Sequence, residues 1–534
     1  MPPDAAEPAG SGEAFAAPPP PAGRAGAARL APAVVAGVAL IVYGRTLLPG
    51  IAFGDWGEMQ TVSHVLGVAH PTGYPSYVLL GWLAQLVPIG SVALRLNLMS
   101  AVLVAAALAT VCAIAGRLGV RPILAIAGAL ALGAVGTVWA AATVAEVNPL
   151  HLLLCALLLH RALVWEARRR TVDLVVGGAL VGLALGNHLL TLFVAPFIAV
   201  FVLWVGRREL LARPWIVVPG LLAVVLGLSV YVYIPLAASR SPALPYNHPT
   251  TLDGVWWLVS GRQFRDQFDF LSAKGPGVFI ASLGALRDLA LARGTAALPL
   301  LGLIGIGILL VRRTAFGLLC AAILLSGAYV WSNYLRLEHY LLVPWLILAI
   351  GASVALEGVA RGAANLARRL GASEARADRT VGSAAGIVAL GFVVVLAGLN
   401  FAAADRSADR SGDDYVDAVF DALPQDAAIL SYWDASTPLW HGAFVEGRRP
   451  DVLIVDDTNI VYEGWGTREA RIASLICKRP VFVVRLDPRD LQAMSQSYTL
   501  TSVLSIRVAV GGPSAATTRQ VYRLEPRDPA TCVG

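Results

Sequence analysis

The chain has 534 residues, of which 57% are hydrophobic and 14% charged, with a mean hydropathy of +0.67. That composition excludes a set of soluble domains and reads as a polytopic α-helical membrane protein. The formal net charge of +6 does not point to nucleic acid, because the arginines come in short clusters between apolar runs, as in cytoplasmic loops.

Residues 1–30 are rich in Ala, Pro and Gly, cannot bury a core, and are expected to be a disordered cytoplasmic tail. The long apolar run that follows ends in no convincing small-residue cleavage site, so it reads as a retained signal anchor. A span needs ~20 mostly apolar residues. Candidate spans fall near 31–49, 92–116, 122–141, 148–166, 172–187, 189–206, 215–236, 296–311, 315–331, 340–358 and 382–402. The shorter run 76–89 lies between Pro75 and Pro88 and reads as a re-entrant or interfacial helix.

With the N-terminus inside, five arginine clusters fall on one side. They are Arg117 and Arg121; Arg168 to Arg170; Arg207, Arg208 and Arg213; Arg312 and Arg313; and Arg361, Arg368, Arg369, Arg376 and Arg379. About eleven spans then place the N-terminus in the cytoplasm and residues 403–534 outside it. That last segment changes character. "AAILSYWD", "PDVLIVDD" and "PVFVVRLD" are short β-type runs, and they alternate with helical stretches such as "DDYVDAVFDAL" and "TREARIASLIC". The pattern predicts a small extracytoplasmic α/β domain over 403–534, after a membrane domain over 31–402. No glycine-rich phosphate loop follows any of its strands. Cys112, Cys155 and Cys320 lie in apolar segments, whereas Cys477 and Cys532 can pair in an oxidising compartment.

On this topology the scarce polar groups gather at the outer side. Asp55, Glu58, His64 and His70 occupy the first outer loop, "FGDWGEMQTVSHVLGVAHPTGYPSY". Glu146, Asn148 and His151 open the fourth span, and Asn187 and His188 form an outer turn. Asn247, His248, Arg262 and Arg265 lie in the long outer connection, and Arg336, Glu338 and His339 follow later. Ionisable groups at membrane depth cost roughly 2.5–3.5 kcal/mol each near a helix centre, so the clustering asks for a reason. A lone His or Glu in a wet loop can equally be a solvated surface group, and "HPTGYP" can be a rigid loop and nothing more. No HExxH-type or Cys/His spacing is present, so neither a metal nor another cofactor is expected.

The stretch "FGDWGEMQTVSHVLGVAHPTGYPSYVLLGWLAQLVPIGSVALRLNLMSAV" resembles the signature of a bacterial membrane family of former unknown function: aromatic-x-D-x-G-E, then G-V-x-H-P-P-G-x-P-L, then N-L-x-S-A. That family is related to the transmembrane protein O-mannosyltransferase of plexin-type receptor domains. "AEVNPLHLL", "LGNHLLTLFVAPF", "YIPLAASRSPALPYNHPTTLDGVWWLVSGRQF" and "STPLWHGAFVEGRRPDVLIVD" match in order, so the resemblance runs through most of residues 31–460. Thr72 stands where the second proline is usual, and Asn148 where an aromatic or similar residue is common.

The resemblance implies a GT-C type fold and an inverting transfer of a sugar, mannose or another hexose, from a polyprenyl phosphate to an extracytoplasmic acceptor. Protein Ser/Thr is one such acceptor, and a glycan or lipid is the alternative. It also implies that Asp55, with Glu58 and then His70, carries the catalytic carboxylate. The chemistry agrees with this. A lipid phosphate leaves without a general acid, so one carboxylate suffices to take the acceptor proton. The departing phosphate needs cations or hydrogen-bond donors. Arg95, Arg262, Arg265, Arg336 and His188 are the candidates, with His70, Glu146 and Asn247 completing the expected substrate contacts. A lipid-linked sugar flippase would instead place ionisable groups at mid-membrane on broken helices within an internal repeat, and no clear repeat is seen. A non-catalytic scaffold leaves Asp55 unexplained.

Overall fold

The computed structural model describes residues 22–267, 276–333, 337–460, 463–485, 487–509, 516–528 and 532. All eleven expected spans are helical. The helices in chain order are α1 (Ala22–Thr46), α2 (Gly54–Val65), α3 (Pro75–Ala84), α4 (Val92–Arg117), α5 (Pro122–Gly133), α6 (Gly136–Ala142), α7 (Asn148–Arg168) and α8 (Thr171–Leu185). They continue through α9 (Ala195–Val205), α10 (Arg207–Ala212), α11 (Val218–Leu228), α12 (Tyr233–Ala238), α13 (Leu252–Val259), α14 (Pro276–Ala292), α15 (Ala297–Arg312), α16 (Thr314–Asn333), α17 (Leu342–Arg369) and α18 (Glu374–Ala404). Helix α1 starts at Ala22, ahead of the boundary expected at residue 31.

Among the described residues, seven helical segments are long and apolar enough to cross a membrane, or eight if α5 and α6, bent by 74° at their junction, form one broken span. The segments at 171–185, 189–205 and 297–312 are apolar but shorter. Helix α3 is shorter still at 10 residues, in keeping with the re-entrant reading of 76–89.

Local chemistry sets these boundaries. Ser91 accepts the Leu94 N–H at 3.1 Å and starts α4, and prolines occupy the first turns of α3, α5 and α7. Helices α15 and α17 pack so closely that a Cβ on Gly305 would lie 1.7 Å from the Gly351 carbonyl oxygen, the small-residue contact typical of membrane helices.

The arginine clusters meet one another on one face. Arg121 pairs with Glu357 at 2.9 Å, and Arg361 reaches both Glu357 and the Gly119 carbonyl. Arg313 pairs with Glu166, Arg169 with Glu209 at 3.8 Å, and Arg117 donates to His160 at 3.0 Å. Loops far apart in sequence are thereby tied to one another.

After α18 the chain enters the α/β unit: α19 (Ser411–Ala422), β1 (Ala428–Ser431), α20 (Trp433–Trp440), β2 (Leu453–Asp456), α21 (Arg468–Ile476), β3 (Val481–Arg485), α22 (Pro488–Ser497), β4 (Tyr498–Ala509) and β5 (Ala516–Pro526). The sheet order is β2-β1-β3-β5-β4. Strands β1, β2 and β3 are parallel, and the β4–β5 hairpin, which the sequence reading did not single out, pairs antiparallel to β3. A disulfide joins Cys477 to Cys532.

This unit is built onto the first loop of the membrane domain. Ile51 and Phe53 are buried in its core beside Tyr415, Val416 and Phe420, and the Phe53 and Tyr415 rings lie 5.4 Å apart. Gly412 is required here, since a Cβ on it would sit 2.0 Å from the Ile51 carbonyl oxygen. The sheet domain therefore anchors the chain just before α2.

Candidate active site

Helix α2 presents the D-x-x-E pair. Asp55 lies in its first turn, where the helix dipole favours a carboxylate, and Glu58 follows three residues on. The two have different fates: the Asp55 side chain is 59% exposed and that of Glu58 only 3%.

Both Glu58 oxygens are engaged by His70. One accepts the His70 backbone N–H at 2.8 Å and the other is bonded to Nδ1. The second imidazole nitrogen, Nε2, lies 3.2 Å from the Tyr74 hydroxyl and 4.0 Å from Asp55 Oδ2. Tyr74 gives its own proton to the Pro71 carbonyl at 3.1 Å, which leaves its oxygen to accept from Nε2–H. Both ring nitrogens are thus donors. Burial alone would lower the His70 pKa, but the Glu58 and Asp55 charges outweigh it and push the imidazole up to about 9. Burial raises the Glu58 pKa against the pull of His70.

The Asp55 carboxylate has its own brace. Trp433, in the first turn of α20, donates Nε1–H to Oδ1 at 2.7 Å. Trp433 stands just past the C-terminal end of β1, the position where parallel α/β sheets place ligand-contacting residues. Its ring also meets His70 edge-on at 5.5 Å.

Asp55, His70 and Trp433 wall a cavity of about 780 Å³ between the two domains. Glu146, Asn148, His188, Gln263, His339 and Tyr340 also line it, and Leu189, Leu192 and Phe193 make one side apolar. The floor is held by residues of the sequence motifs. Gln60 bonds Asn97, Gly50 and Ala52, and Asn97 in turn bonds Leu48 and Ala145. Ser100 receives the Glu146 N–H at 3.3 Å.

Of the expected site residues, Asp55, His70, Glu146 and His188 line this cavity, and Glu58 stands behind His70. Glu146 is largely committed to structure. It accepts from the N–H of Val147 and from Asn148 at the start of α7, and from Trp56 Nε1 at 2.8 Å. His188 accepts the Leu190 N–H on Nδ1 at 3.1 Å, which puts its ring proton on Nε2.

Three of the residues expected at phosphate or substrate lie away from this cavity. Arg95 turns away: its guanidinium donates to the carbonyls of Gln85, Ile89 and Gly90 and closes the end of α3. Asn247 occupies a tight turn at φ +55° and does not line the cavity, while its neighbour Tyr246 does. Arg262 is exposed and also does not line it, although Gly261, Gln263 and Phe264 do. Arg336 and the side chain of Arg265 lie outside the described residues. Among the described lining residues the basic groups are therefore imidazoles: His70, His188 and His339.

The helical bundle with its sheet domain has a fold of the GT-C type. Two solved structures share it. ArnT from Cupriavidus metallidurans, bound to undecaprenyl phosphate, superposes with a TM-score of 0.58 over 92% of this chain and 97% of its own, at 16% identity. The oligosaccharyltransferase AglB from Archaeoglobus fulgidus, in complex with an inhibitory peptide and a dolichol-phosphate, gives 0.52 over 85% and 69%, at 12% identity. At these identities the likeness is one of fold.

Sequence brings the chain nearer to a particular protein. Residues 55–211 match the family described as the N-terminal domain of protein O-mannosyl-transferase TMEM260. Over 468 residues, 82% of this chain, it is 30% identical to protein O-mannosyl-transferase TMEM260 of Mus musculus, and it spans 64% of that protein's length. In both, this chain is similar to TMEM260 proteins over part of its own length or of theirs.

Proposed function

We propose that the protein is an inverting glycosyltransferase that moves a hexose, mannose by its likeness to the mouse protein, from a polyprenyl phosphate to a hydroxyl of an extracytoplasmic acceptor. The observation that carries this reading is Asp55. It is a carboxylate exposed to a large cavity, braced on one oxygen by Trp433 and with its second oxygen 4.0 Å from the His70 imidazole. The name of the mouse relative and the undecaprenyl phosphate held by the fold neighbour support the reaction class and the donor type.

In this mechanism the acceptor hydroxyl attacks the anomeric carbon while its proton passes to Asp55. The new bond joins acceptor oxygen to sugar carbon, and the bond that breaks joins that carbon to the phosphate oxygen. The polyprenyl phosphate departs as an anion. One carboxylate is enough, since the phosphate leaves unprotonated and the transition state is oxocarbenium-like. His70 keeps its positive charge through Glu58 and offsets the negative charge of the departing phosphate, with His188 and His339 as further donors. Glu58 thus holds His70 and does not itself face the acceptor. The apolar side formed by Leu189, Leu192 and Phe193 suits the first isoprene units of the donor.

The arginine face is read as cytoplasmic and the sheet domain as extracytoplasmic. The shared surface of the arginine loops and the Cys477–Cys532 bond both favour this orientation. The test uses membranes containing the protein, supplied with radiolabelled polyprenyl-phosphate mannose. Label should move to an acceptor with wild type and not with Asp55→Asn. Equal transfer by both would remove Asp55 from the reaction.

A further inference from the structure

Helix α13 (Leu252–Val259) belongs to none of the spans, yet its first residue is the most exposed large apolar side chain among the described residues. Leu252 is 91% exposed, and Trp256, one turn on, is 62% exposed. Neither lines the cavity around Asp55, and the proposed chemistry uses neither. We propose that α13 is an interfacial anchor. Leu252 and Trp256 dock into the bilayer leaflet on the sheet-domain side, where headgroups meet acyl chains, and so hold the adjoining cavity wall at the membrane surface. The inference requires a protein embedded in a membrane and does not depend on the transferase reading.

The helix has two apolar sides. Thr251 accepts the Gly254 N–H at 3.1 Å and starts it. Leu258 is fully buried with Val68, Ile234, Ala237, Ala238 and Tyr246, and Val255 and Val259 pack on the same cluster. Leu252 and Trp256, four residues apart, form a stripe on another side. Covering an exposed Leu is worth roughly 1.5–3 kcal/mol, so the stripe has much to gain from an apolar surrounding.

The place of α13 in the fold says what surrounds it. Ile234, Ala237 and Ala238 close the segment Pro214–Ala238, which is long and apolar enough to cross a membrane. Beside them Val232 and Leu236 are more than half exposed, as lipid-facing residues of a span are. Helix α13 is therefore fastened to the end of a span, at the depth where Trp is enriched and amphipathic helices lie in the interface. A second copy of the chain is a poorer occupant. Two side chains offer roughly 300 Å², against the ~1,000 Å² of a specific interface.

The stripe is coupled to the cavity through the backbone. The Ser260 N–H bonds the Trp256 carbonyl at 2.9 Å, the Gly261 N–H that of Leu258 at 3.1 Å, and the Phe264 N–H that of Gly261 at 2.8 Å. Ser260, Gly261 and Phe264 all line the cavity, with Gln263 between them. A helix fixed in the leaflet fixes this wall with it.

The test uses full-length protein in nanodiscs. Leu252→Cys, Asp253→Cys, Trp256→Cys and Gln425→Cys are each labelled with the fluorophore NBD. The native cysteines do not interfere, since three are buried and the other two are joined. Lipids with a nitroxide high on the acyl chain should quench the Leu252→Cys and Trp256→Cys labels about threefold more than the Asp253→Cys label. Gln425→Cys, exposed ahead of β1, should not be quenched. Equal quenching at the three helix positions, or none, would overturn the inference. So would shielding that appears only with two copies in a disc. Hydrogen exchange reads the wall. In the double variant Leu252→Asp/Trp256→Asp, exchange at Ser260, Gly261 and Phe264 should quicken about tenfold, while Trp256→Leu should keep the wild-type rate. An unchanged rate in the double variant would show that the wall does not depend on the leaflet and would overturn the proposal. Sugar transfer enters neither readout, so the transferase reading stands or falls separately.

Discussion

The two ends of the helical bundle spend their charges in opposite ways. On the arginine face the paired charges close on protein partners: Arg121 and Arg361 converge on Glu357, Arg313 on Glu166, and Arg161 on Asp173. On the sheet-domain face the polar groups also bond one another, but the bonds converge on a cavity and leave a carboxylate open to it. Scarcity of charge in an apolar chain is thus no mark of function by itself, because both faces share it. The mark is a chain of bonds that ends unfinished. Glu58 is satisfied by His70, whereas one oxygen of Asp55 faces the cavity with His70 Nε2 as its closest charged neighbour.

The sharpest way to break this contrast is to remove the open group. Asp55→Asn keeps shape and the bond from Trp433 but cannot take a proton, so turnover should fall by ~10²–10⁴. Donor binding and thermal stability should hold, since the side chain is largely exposed. Glu58→Gln under saturating donor separates the two carboxylates. It should weaken the charge on His70 and reduce both turnover and stability, and normal stability with collapsed turnover would move the base to Glu58.

Removing the brace should cost less. Trp433→Phe retains the ring packing against His70 and Trp440 but deletes the N–H donated to Asp55. A hydrogen bond to a charged group contributes about 1.5–3 kcal/mol, and the exposure of Asp55 puts this one at the low end. Turnover should drop about tenfold with donor affinity unchanged. An unchanged turnover number would mean that the sheet domain does not position the carboxylate.

On the arginine face, Glu357→Gln should behave in reverse. It leaves Arg121 and Arg361 without their shared carboxylate, and breaking a buried pair costs up to ~3–5 kcal/mol. Because Arg361 is half exposed, about 1–2 kcal/mol is expected here. Turnover per folded molecule should not change.

Proton linkage probes the site from another direction. His70 has a folded pKa of about 9, raised above its ordinary 6.5. Its contribution to stability is therefore fully present below pH 6.5 and is lost as pH rises towards 9, at most about 3 kcal/mol. The melting temperature of wild type should fall over that window, and that of His70→Gln should be lower but flatter.

How much of this was legible beforehand follows the same division. Span positions, the α/β character of the tail and the polar collection at one end come from apolar periodicity and residue type, which are local, and every expected span is helical. The motif residues could be found but not sorted. Asp55 and Glu58 look equivalent in D-x-x-E, and only the fold shows that one is exposed while the other is buried against His70. Trp433 was missed because it comes from a different domain, 378 residues away. Its one local signal was an aromatic pair directly after a strand that proved to be parallel. Arg95 and Arg262, which the sequence placed near phosphate, do not line the cavity, for the opposite reason. A charge on the correct side of the membrane says nothing about whether backbone carbonyls nearby will take it.

Arg95 is the clearest such case, and it yields the smallest and most discriminating prediction. Its position at the start of α4 fits a phosphate contact as well as any residue in the chain. In the structure its guanidinium instead spans the last carbonyls after α3, bonding Gln85, Ile89 and Gly90. Gln85 caps α3, and a cation at its carbonyl complements the helix dipole, while Ile89 and Gly90 belong to the turn that follows. Arg95→Ala should therefore fray the turn from Gln85 to Gly90 at a cost of about 1 kcal/mol. Faster proteolysis or hydrogen exchange confined to that turn would report it. Binding of a polyprenyl-phosphate sugar should be unchanged within twofold. A tenfold loss of donor affinity without local fraying would return Arg95 to the phosphate and show that the sheet-domain face keeps a cation, as well as a carboxylate, in reserve for substrate.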